Sequence, residues 1–569
     1  MPKKLHKSTK FIFISGGVIS GIGKGITSAS IALLLKSSGY KVAPVKFENY
    51  LNLDAGTINP IEHGDPFLCE DGTEADMDIG TYEKFLDEDM GKVNFVTMGR
   101  IYQTVLDRER AFGYDGEDVE AIPHITDEII RRILEVAEKK EADIVLIELG
   151  GTAGEYQNVL YYEASRILTL RRPKDVLHVH VSYLPTPSHL GEPKTKPTQL
   201  SVRTLNSMGI QPDFIVARSD QFIDQRRRDR FALFCNMSGD NIISNPDVKS
   251  VYEVPFILEE QKFAEKILNK LDLPVKKPDL AKWKKLLERI KGTPKKEVKI
   301  AIIGKYFSTG NYHLRDSYAA LFDAIDHAAW EQNIKVETIW IDAEKVESAV
   351  AKALADKKDM FEGAEEIIGK PDGIIVPIGW GERGSEGMIT AASYARRKKI
   401  PYLGLCYGMQ LACVAFARDL IGWKDANSEE NDNKTKHQVI HLMPAQKEVM
   451  ARRAYGGTMR LGGWEAVVKK GTIAYDAYDK SGMFLNKQKG ITSERHRHRY
   501  EFNDLFVKDF ESKGLVVSAR SIVENLAEIV ELPKKDHPFY VGTQGHPEYK
   551  SRPNHPHPLF VEFLKAAGK

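Results

Sequence analysis

Cys406 stands in Gly404-Leu405-Cys406-Tyr407-Gly408, directly after the apolar run Ile400-Pro401-Tyr402-Leu403. A strand that delivers a cysteine between glycines describes a nucleophile elbow. The sharp turn lifts the sulfur out of the sheet and leaves backbone N–H groups beside it. Far downstream, Gly545-His546-Pro547-Glu548 follows a second apolar run, Phe539 to Val541. The order Cys406, His546, Glu548 in one α/β unit reads as a hydrolytic triad: thiol nucleophile, imidazole base, and a carboxylate that orients the base.

The other half of the chain opens with a different chemistry. Ser20-Gly21-Ile22-Gly23-Lys24-Gly25-Ile26 links a strand to a helix. Glycines there let N–H groups turn toward phosphate oxygens at a helix N-terminus, and Lys24 would neutralise phosphate charge. The match to the standard phosphate loop is imperfect, because Gly25 stands where a Ser or Thr would bind magnesium. Acids must then come from elsewhere, with Asp76, Asp78 and Glu148 as candidates. Glu148 ends an apolar strand on the carboxyl edge, where ligands bind in such sheets. Lys194 and Lys196, two apart on a proline-stiffened segment, share a face and could grip a polyphosphate.

These residues need a scaffold. The first half alternates short apolar runs (Phe11–Ile14, Val42–Lys46, 143–147, Val176–Val181, Phe214–Ala217) with helical spacing at Ile26, Ala29, Leu33 and Leu34. That alternation predicts a mostly parallel sheet. A proline- and lysine-rich stretch over 273–297, with a short amphipathic helix around Trp283, reads as an interdomain linker. A second α/β pattern starts at Val298 and runs through 336–341 and 373–377 to the cysteine. The expected domains are 1–272, the linker 273–297, and 298–569.

At 569 residues the chain is too long for one core. Its 81 Lys+Arg against 80 Asp+Glu leave no global field for nucleic acid or a membrane surface. Four scattered cysteines without metal spacing suggest a reducing compartment. The basic start and the short, glycine-broken apolar run after it read as a strand rather than a signal peptide. The expected location is the cytoplasm.

Together the motifs resemble the CTP synthase family over nearly the whole chain. The resemblance rests on the Ser20–Gly25 loop, His63-Gly64, Glu70-Asp71-Gly72, Pro123-His124-Ile125-Thr126, Glu148–Thr152, Lys194–Gln199, Gly456–Gly462 and Glu494–Glu501. It implies an α/β chain of two domains. One is an N-terminal P-loop-like Rossmannoid parallel sheet; the other is a C-terminal class I glutamine amidotransferase of flavodoxin-like α/β kind. It also implies an activity. ATP phosphorylates the 4-oxygen of UTP, and ammonia from glutamine, passed internally, displaces phosphate to give CTP. Mg2+ is implied as cofactor, GTP as activator, CTP as feedback inhibitor, and a homotetramer as the assembly.

By the same resemblance, Gly21, Ile22, Gly23, Lys24, Gly25 and Ile26 would bind ATP, with Lys46 near the transferred phosphoryl group. Asp78 and Glu148 match the metal ligands. Ser20, Glu155, Tyr156, Gln157, Lys194, Thr195, Lys196, Pro197, Thr198, Gln199 and Arg230 match pyrimidine-nucleotide positions. Gly379, Tyr407, Gln410, Glu430 and Arg499 match glutamine contacts, with Cys406, His546 and Glu548 as the triad.

The chain departs from the family pattern at one pocket. Ile378 stands where glycine is usual, Tyr407 where leucine is, and Gly545 where phenylalanine often is. If position 378 needs a positive φ, isoleucine is costly there. The expectation is correlated repacking, with two alternatives: an ammonia-dependent ligase with an impaired glutaminase, or a catalytically weak regulatory or filament-forming homologue. The Arg495–Arg499 run, alternating with His496 and His498, is expected to build the glutamine pocket and domain interface rather than an RNA stripe.

Overall fold

The computed structural model describes residues 9–60, 64–189, 191–309, 312–313, 315–452 and 455–569. The basic start and His63 lie outside them. The chain forms two compact units, one from 1–55 and 78–287 and the other from 56–77 and 288–569. Among the described residues, no helix is long and apolar enough to cross a membrane.

The first unit is built on strands β1 (Lys10–Gly17), β2 (Val42–Glu48), β3 (Phe95–Thr97), β4 (Ile144–Leu149), β5 (Val176–Tyr183), β6 (Phe214–Ser219) and β7 (Ile242–Pro246). Their order is β3-β2-β4-β1-β5-β6-β7, and every pair is parallel. Both faces of such a sheet are covered, so its central strands are buried along most of their length. All of β4 is buried. That forces Glu148, within β4, to find a partner, and its register partner on β2 is Lys46. Helix α1 (Lys24–Ser37) starts from Gly23, which takes the left-handed conformation that glycine adopts without strain. Helix α2 (Met77–Leu86) carries Asp78 in its first turn, and α3 (Lys196–Ser207) starts in the lysine motif.

The stretch read as a linker is ordered. It contains helix α4 (Ala281–Lys291), whose Trp283 packs on Phe85 and Tyr252 and donates its indole N–H to Tyr252 O at 2.9 Å. The division between the units falls inside this helix, not at its ends.

The second unit contains β8 (Glu297–Gly304), β9 (Lys335–Asp342), β10 (Gly373–Val376), β11 (Tyr402–Leu405), β12 (Arg460–Val468), β13 (Ile491–His498), β14 (Val516–Ser521), β15 (Ala527–Glu531) and β16 (Tyr540–Thr543). Their order is β9-β8-β10-β11-β16-β15-β14-β12-β13. The strands from β9 to β16 pair in parallel and the rest antiparallel.

Residues 56–77 belong to this second unit, although sequence order put them in the first domain. Alternation along β13 explains why. One face presents Ser493, Arg495 and Arg497. Arg495 holds Glu70 (3.0 Å), Leu68 O (2.9 Å) and Tyr549 O (3.3 Å). Arg497 holds Glu74 (2.6 Å) and Gly56 O (3.1 Å). The other face presents Glu494 to His557 (2.8 Å) and His496 to Glu528 (2.5 Å). The basic run is thus split between two buried polar clusters. Arg495 is fully buried, so Arg495→Ala takes the guanidinium from Leu68 O and Glu70, while Tyr549 O keeps its bond from Arg552 at 2.9 Å. At ~1–3 kcal/mol for each unpaired group, the denaturant midpoint of the second unit should fall clearly; an unchanged midpoint would mean that the clamp is energetically idle.

Candidate active sites

Cys406 ends β11 and opens helix α5 (Tyr407–Phe416) with φ 50° and ψ −100°. Left-handed φ is rare for a side-chain-bearing residue and marks the elbow. The Cys406 N–H donates to Thr543 O at 2.7 Å. Its Sγ receives the Gln544 side-chain amide at 3.4 Å and lies 4.0 Å from Arg497 O. His546 follows β16, and its N–H donates to Arg495 O at 2.7 Å. The His546 Nδ1 meets Glu548 Oε1 at 2.8 Å. Its Nε2 closes no hydrogen bond among the described residues, yet Cys406 lies near enough to act on it electrostatically. Burial by itself lowers the His546 pKa; Glu548 and then Cys406 outweigh it and lift it to about 10. A protonated imidazole is the counter-ion a thiolate nucleophile needs.

The loop 377–381 lies beside this line. Ile378 does not take a positive φ; Gly381 does, at 68°. The cost anticipated for isoleucine therefore does not arise. Ile378 is buried in an apolar cluster with Tyr306, Phe307, Tyr318 and Leu405. The Tyr407 hydroxyl donates to Gly381 O (2.7 Å) and lies 2.9 Å from the Asn431 side-chain amide. A side chain at Gly545 would stand 2.7 Å from Glu494 Cβ, so the buried Glu494 excludes phenylalanine there. Ile378 belongs to the loop 377–381 that Tyr407 also holds, whereas Gly545 abuts Glu494 and His496.

Of the residues expected to contact glutamine, Gly379 has Lys305 and Tyr407 carbons 3.1 Å from where a Cβ would sit. Glu430 accepts the Gly381 N–H at 2.9 Å, and burial raises its pKa against Gly381 and Lys305. Gln410 donates to Gln544 Oε1 at 3.2 Å and so joins the cysteine's shell. Arg499 is tied instead to Gln446, Thr458 (3.0 Å) and Tyr455 O (2.6 Å).

In the first unit, Lys46 Nζ lies 2.6 Å from Asp78 Oδ2, 2.7 Å from Glu148 Oε1 and 3.2 Å from Glu48 Oε1. Burial alone would lower the Lys46 pKa; Asp78, Glu148 and Glu48 raise it well above the usual lysine value. Lys24 is pushed down, by burial first and then by Lys46, and it donates to Gly151 O. A Cβ at Gly25 would fall 2.0 Å from Asp78 Oδ1. The carboxylate thus occupies the space that a Ser or Thr side chain would take in a standard phosphate loop.

The pyrimidine-nucleotide candidates divide. Lys194, Thr195, Lys196 and Arg230 line one cavity of about 710 Å³ with Arg226 and Arg227. Tyr156 and Gln157 line a separate, apolar groove with Leu51, Leu106 and Leu160. Glu155 turns away to Thr152 (2.8 Å) and Asn49 (3.2 Å). Ser20 is exposed on the phosphate loop. Pro197, Thr198 and Gln199 continue into α3, where Thr198 accepts from Ser182 (2.8 Å) and Gln199 donates to Thr195 (3.1 Å).

A family model described as CTP synthase N-terminus matches residues 10–273, and a class-I glutamine amidotransferase model matches 313–566. A CTP synthase of Caldanaerobacter subterraneus subsp. tengcongensis is 46% identical over 558 residues, 98% of each chain. One from Symbiobacterium thermophilum is 45% identical over 560 residues, again 98% of each. The chain belongs to the CTP synthase family. Among solved structures, the glutaminase domain of Trypanosoma brucei CTPS with bound acivicin is 32% identical. It covers 48% of this chain and 93% of that chain, with a TM-score of 0.39.

For this CTP synthase family member, sequence reasoning missed Gln544 on the sulfur, Lys305 on the loop 377–381, and the split duty of β13. Gln544 sits two residues before His546 at a strand end, a place that could have signalled it. Lys305 carries no motif of its own. The unsatisfied Nε2 of His546 makes a specific expectation. His546→Asn should slow alkylation of Cys406 by iodoacetamide at neutral pH at least ten-fold, since the thiolate loses its counter-ion; an unchanged rate would mean that His546 does not ionise the thiol.

Proposed function

We propose that the chain converts UTP to CTP at the expense of ATP, with the amide nitrogen of glutamine as donor. The observation that carries this reading is the pairing, in one chain, of a buried Cys406–His546–Glu548 line with a phosphate loop that opens on Lys24, beside a strand whose Lys46 holds Asp78 and Glu148.

In the glutaminase, Cys406 Sγ attacks the side-chain carbonyl carbon of glutamine. N–H groups of Gly379 and Tyr407 receive the negative charge that develops on the oxygen; one such donor is worth about 2.7–4 kcal/mol. His546 passes the proton to the departing ammonia, and water then releases glutamate from the thioester. Gln410 and Glu430 orient the glutamine, with Arg499 as an outer partner.

In the ligase, residues Gly21 to Ile26 cradle the ATP phosphates, and Lys24 and Lys46 neutralise the γ-phosphoryl group on its way to the uracil 4-oxygen. Phosphorylation makes that oxygen a good leaving group, and ammonia adds at C4 to displace phosphate. Asp78 and Glu148 would hold Mg2+, which supplies further charge neutralisation at the phosphates. The donor set suits it: Asp78 and Glu148 both reach Lys46 Nζ beside the phosphate loop, and Asp78 Oδ1 fills the space above Gly25. Lys194, Thr195, Lys196, Pro197, Thr198, Gln199 and Arg230, with Ser20, form the UTP end.

The separation of Tyr156 and Gln157 from that cavity supports a nucleotide site shared between copies. An exposed apolar groove with Leu51 69% and Tyr156 96% exposed supports their tetrameric assembly. Activation by GTP, feedback inhibition by CTP and a cytoplasmic location belong to the same reading.

The test compares glutamine with ammonium as nitrogen source, with UTP, ATP, Mg2+ and GTP present. Cys406→Ala should abolish glutamine-dependent CTP formation and retain the ammonium-dependent reaction. Loss of both would contradict two separable sites; synthesis from ammonium alone in the unaltered chain would point to the impaired-glutaminase alternative.

A further inference from the structure

Three carbonyl oxygens of the loop 377–381, those of Ile378, Trp380 and Gly381, are held by side chains from other elements. Tyr318 donates its hydroxyl to Ile378 O at 3.3 Å and accepts the Lys305 N–H at 3.1 Å. Lys305 Nζ donates to Trp380 O at 2.9 Å and to Gly381 O. The Tyr407 hydroxyl also donates to Gly381 O at 2.7 Å. The Lys305 ammonium sits 4.4 Å above the Tyr407 ring, which helps to hold both.

A peptide group is a rigid plane with its C=O and N–H pointing opposite ways. Ile378 C=O and Gly379 N–H share one plane, so the bond from Tyr318 sets the direction of the Gly379 N–H. The next fixed plane is held at both ends: Trp380 O by Lys305, and Gly381 N–H by Glu430 at 2.9 Å. The Gly379 N–H has no acceptor among the described residues.

We propose that Tyr318 and Tyr407 are positioning residues of the glutaminase. Together with Lys305 they turn the carbonyls of Ile378, Trp380 and Gly381 away from the reacting centre and leave the Gly379 N–H aimed as the oxyanion donor. In this chain the tyrosine hydroxyls fix a loop in which Ile378 is anchored by burial instead of being left as a free glycine. The inference rests on the glutaminase reading above and deepens it.

Tyr318→Phe and Tyr407→Phe each remove one oxygen and keep the ring. Three quantities are read on the full-length protein. The first is kcat and KM for glutamine hydrolysis, the second the rate of Cys406 alkylation by iodoacetamide, and the third ammonium-dependent CTP formation, which reports a folded chain. Iodoacetamide alkylation forms a C–S bond, expels iodide and develops no oxyanion, so it senses the thiol but not the donor. The expected result for Tyr318→Phe is a kcat about 10- to 100-fold lower, the scale of a misplaced catalytic group. Glutamine KM should move less than about three-fold and alkylation stay at the wild-type rate. The double variant should fall further.

Wild-type kcat in the double variant, or a raised KM at unchanged kcat, overturns the inference and leaves the glutaminase reading standing. Equal losses of kcat and alkylation also overturn it, since the thiol itself would then be disturbed. Absence of glutamine hydrolysis in the unaltered chain, with ammonium-dependent synthesis intact, overturns both.

Discussion

Alternation along β13 is the constraint on which the glutaminase unit depends. Its main chain supports the Cys406–His546–Glu548 line directly: Arg495 O fixes the His546 amide, and Arg497 O lies 4.0 Å from the Cys406 sulfur. Its side chains are spent elsewhere. Arg495 and Arg497 bind the carboxylates of Glu70 and Glu74, and the Arg497 guanidinium lies 5.4 Å from the centre of the Trp380 ring in the loop 377–381. Arg497 is fully enclosed; burial opposes its charge, but Glu74 and Asp65 outweigh that and hold it protonated. A charge buried this deeply is stable only while its partners remain in place. The Cys406–His546 pair and the segment 56–77 are therefore held by one strand.

That segment runs straight into α2, whose first turn bears Asp78. The chain that the glutaminase clamps is the chain that supplies a carboxylate to Lys46. The ligase side has its own balance. Lys46 is surrounded by Asp78, Glu148 and Glu48, while Lys24 is destabilised by burial and by Lys46. A triphosphate would relieve the repulsion between the two ammonium groups. Gly25 is part of the same arrangement, because the Asp78 carboxylate fills the space beside it.

Much of this was legible in sequence where a local pattern dictates the outcome. The strand–Cys–helix elbow, the strand–glycine–helix loop, and the His546-Pro547-Glu548 turn each carry their geometry in a few consecutive residues. Strands β3 and β7 of the first unit and β12 to β15 of the second were missed: β3 is very short, and β7, β12, β13, β14 and β15 mix polar and apolar residues. The membership of residues 56–77 could not be read, because nothing local tells Glu70 and Glu74 that their partners lie more than four hundred positions away. Ile378 was judged by a rule about glycine, yet the demand for left-handed φ falls at Gly381. The basic run was read as one feature, whereas the two-residue repeat of a strand divides it into two.

The central claim is that the Arg497 clamp and the catalytic line are one mechanical unit. A double-mutant cycle of Arg497→Met and Glu74→Gln, read as kcat for glutamine hydrolysis, tests it most directly. The account predicts non-additivity of at least about 1 kcal/mol between the two positions, because Arg497 and Glu74 share a direct buried ion pair that either substitution removes. Additive effects, within about 0.3–0.5 kcal/mol, would contradict it and reduce the clamp to a local packing contact with no hold on the nucleophile.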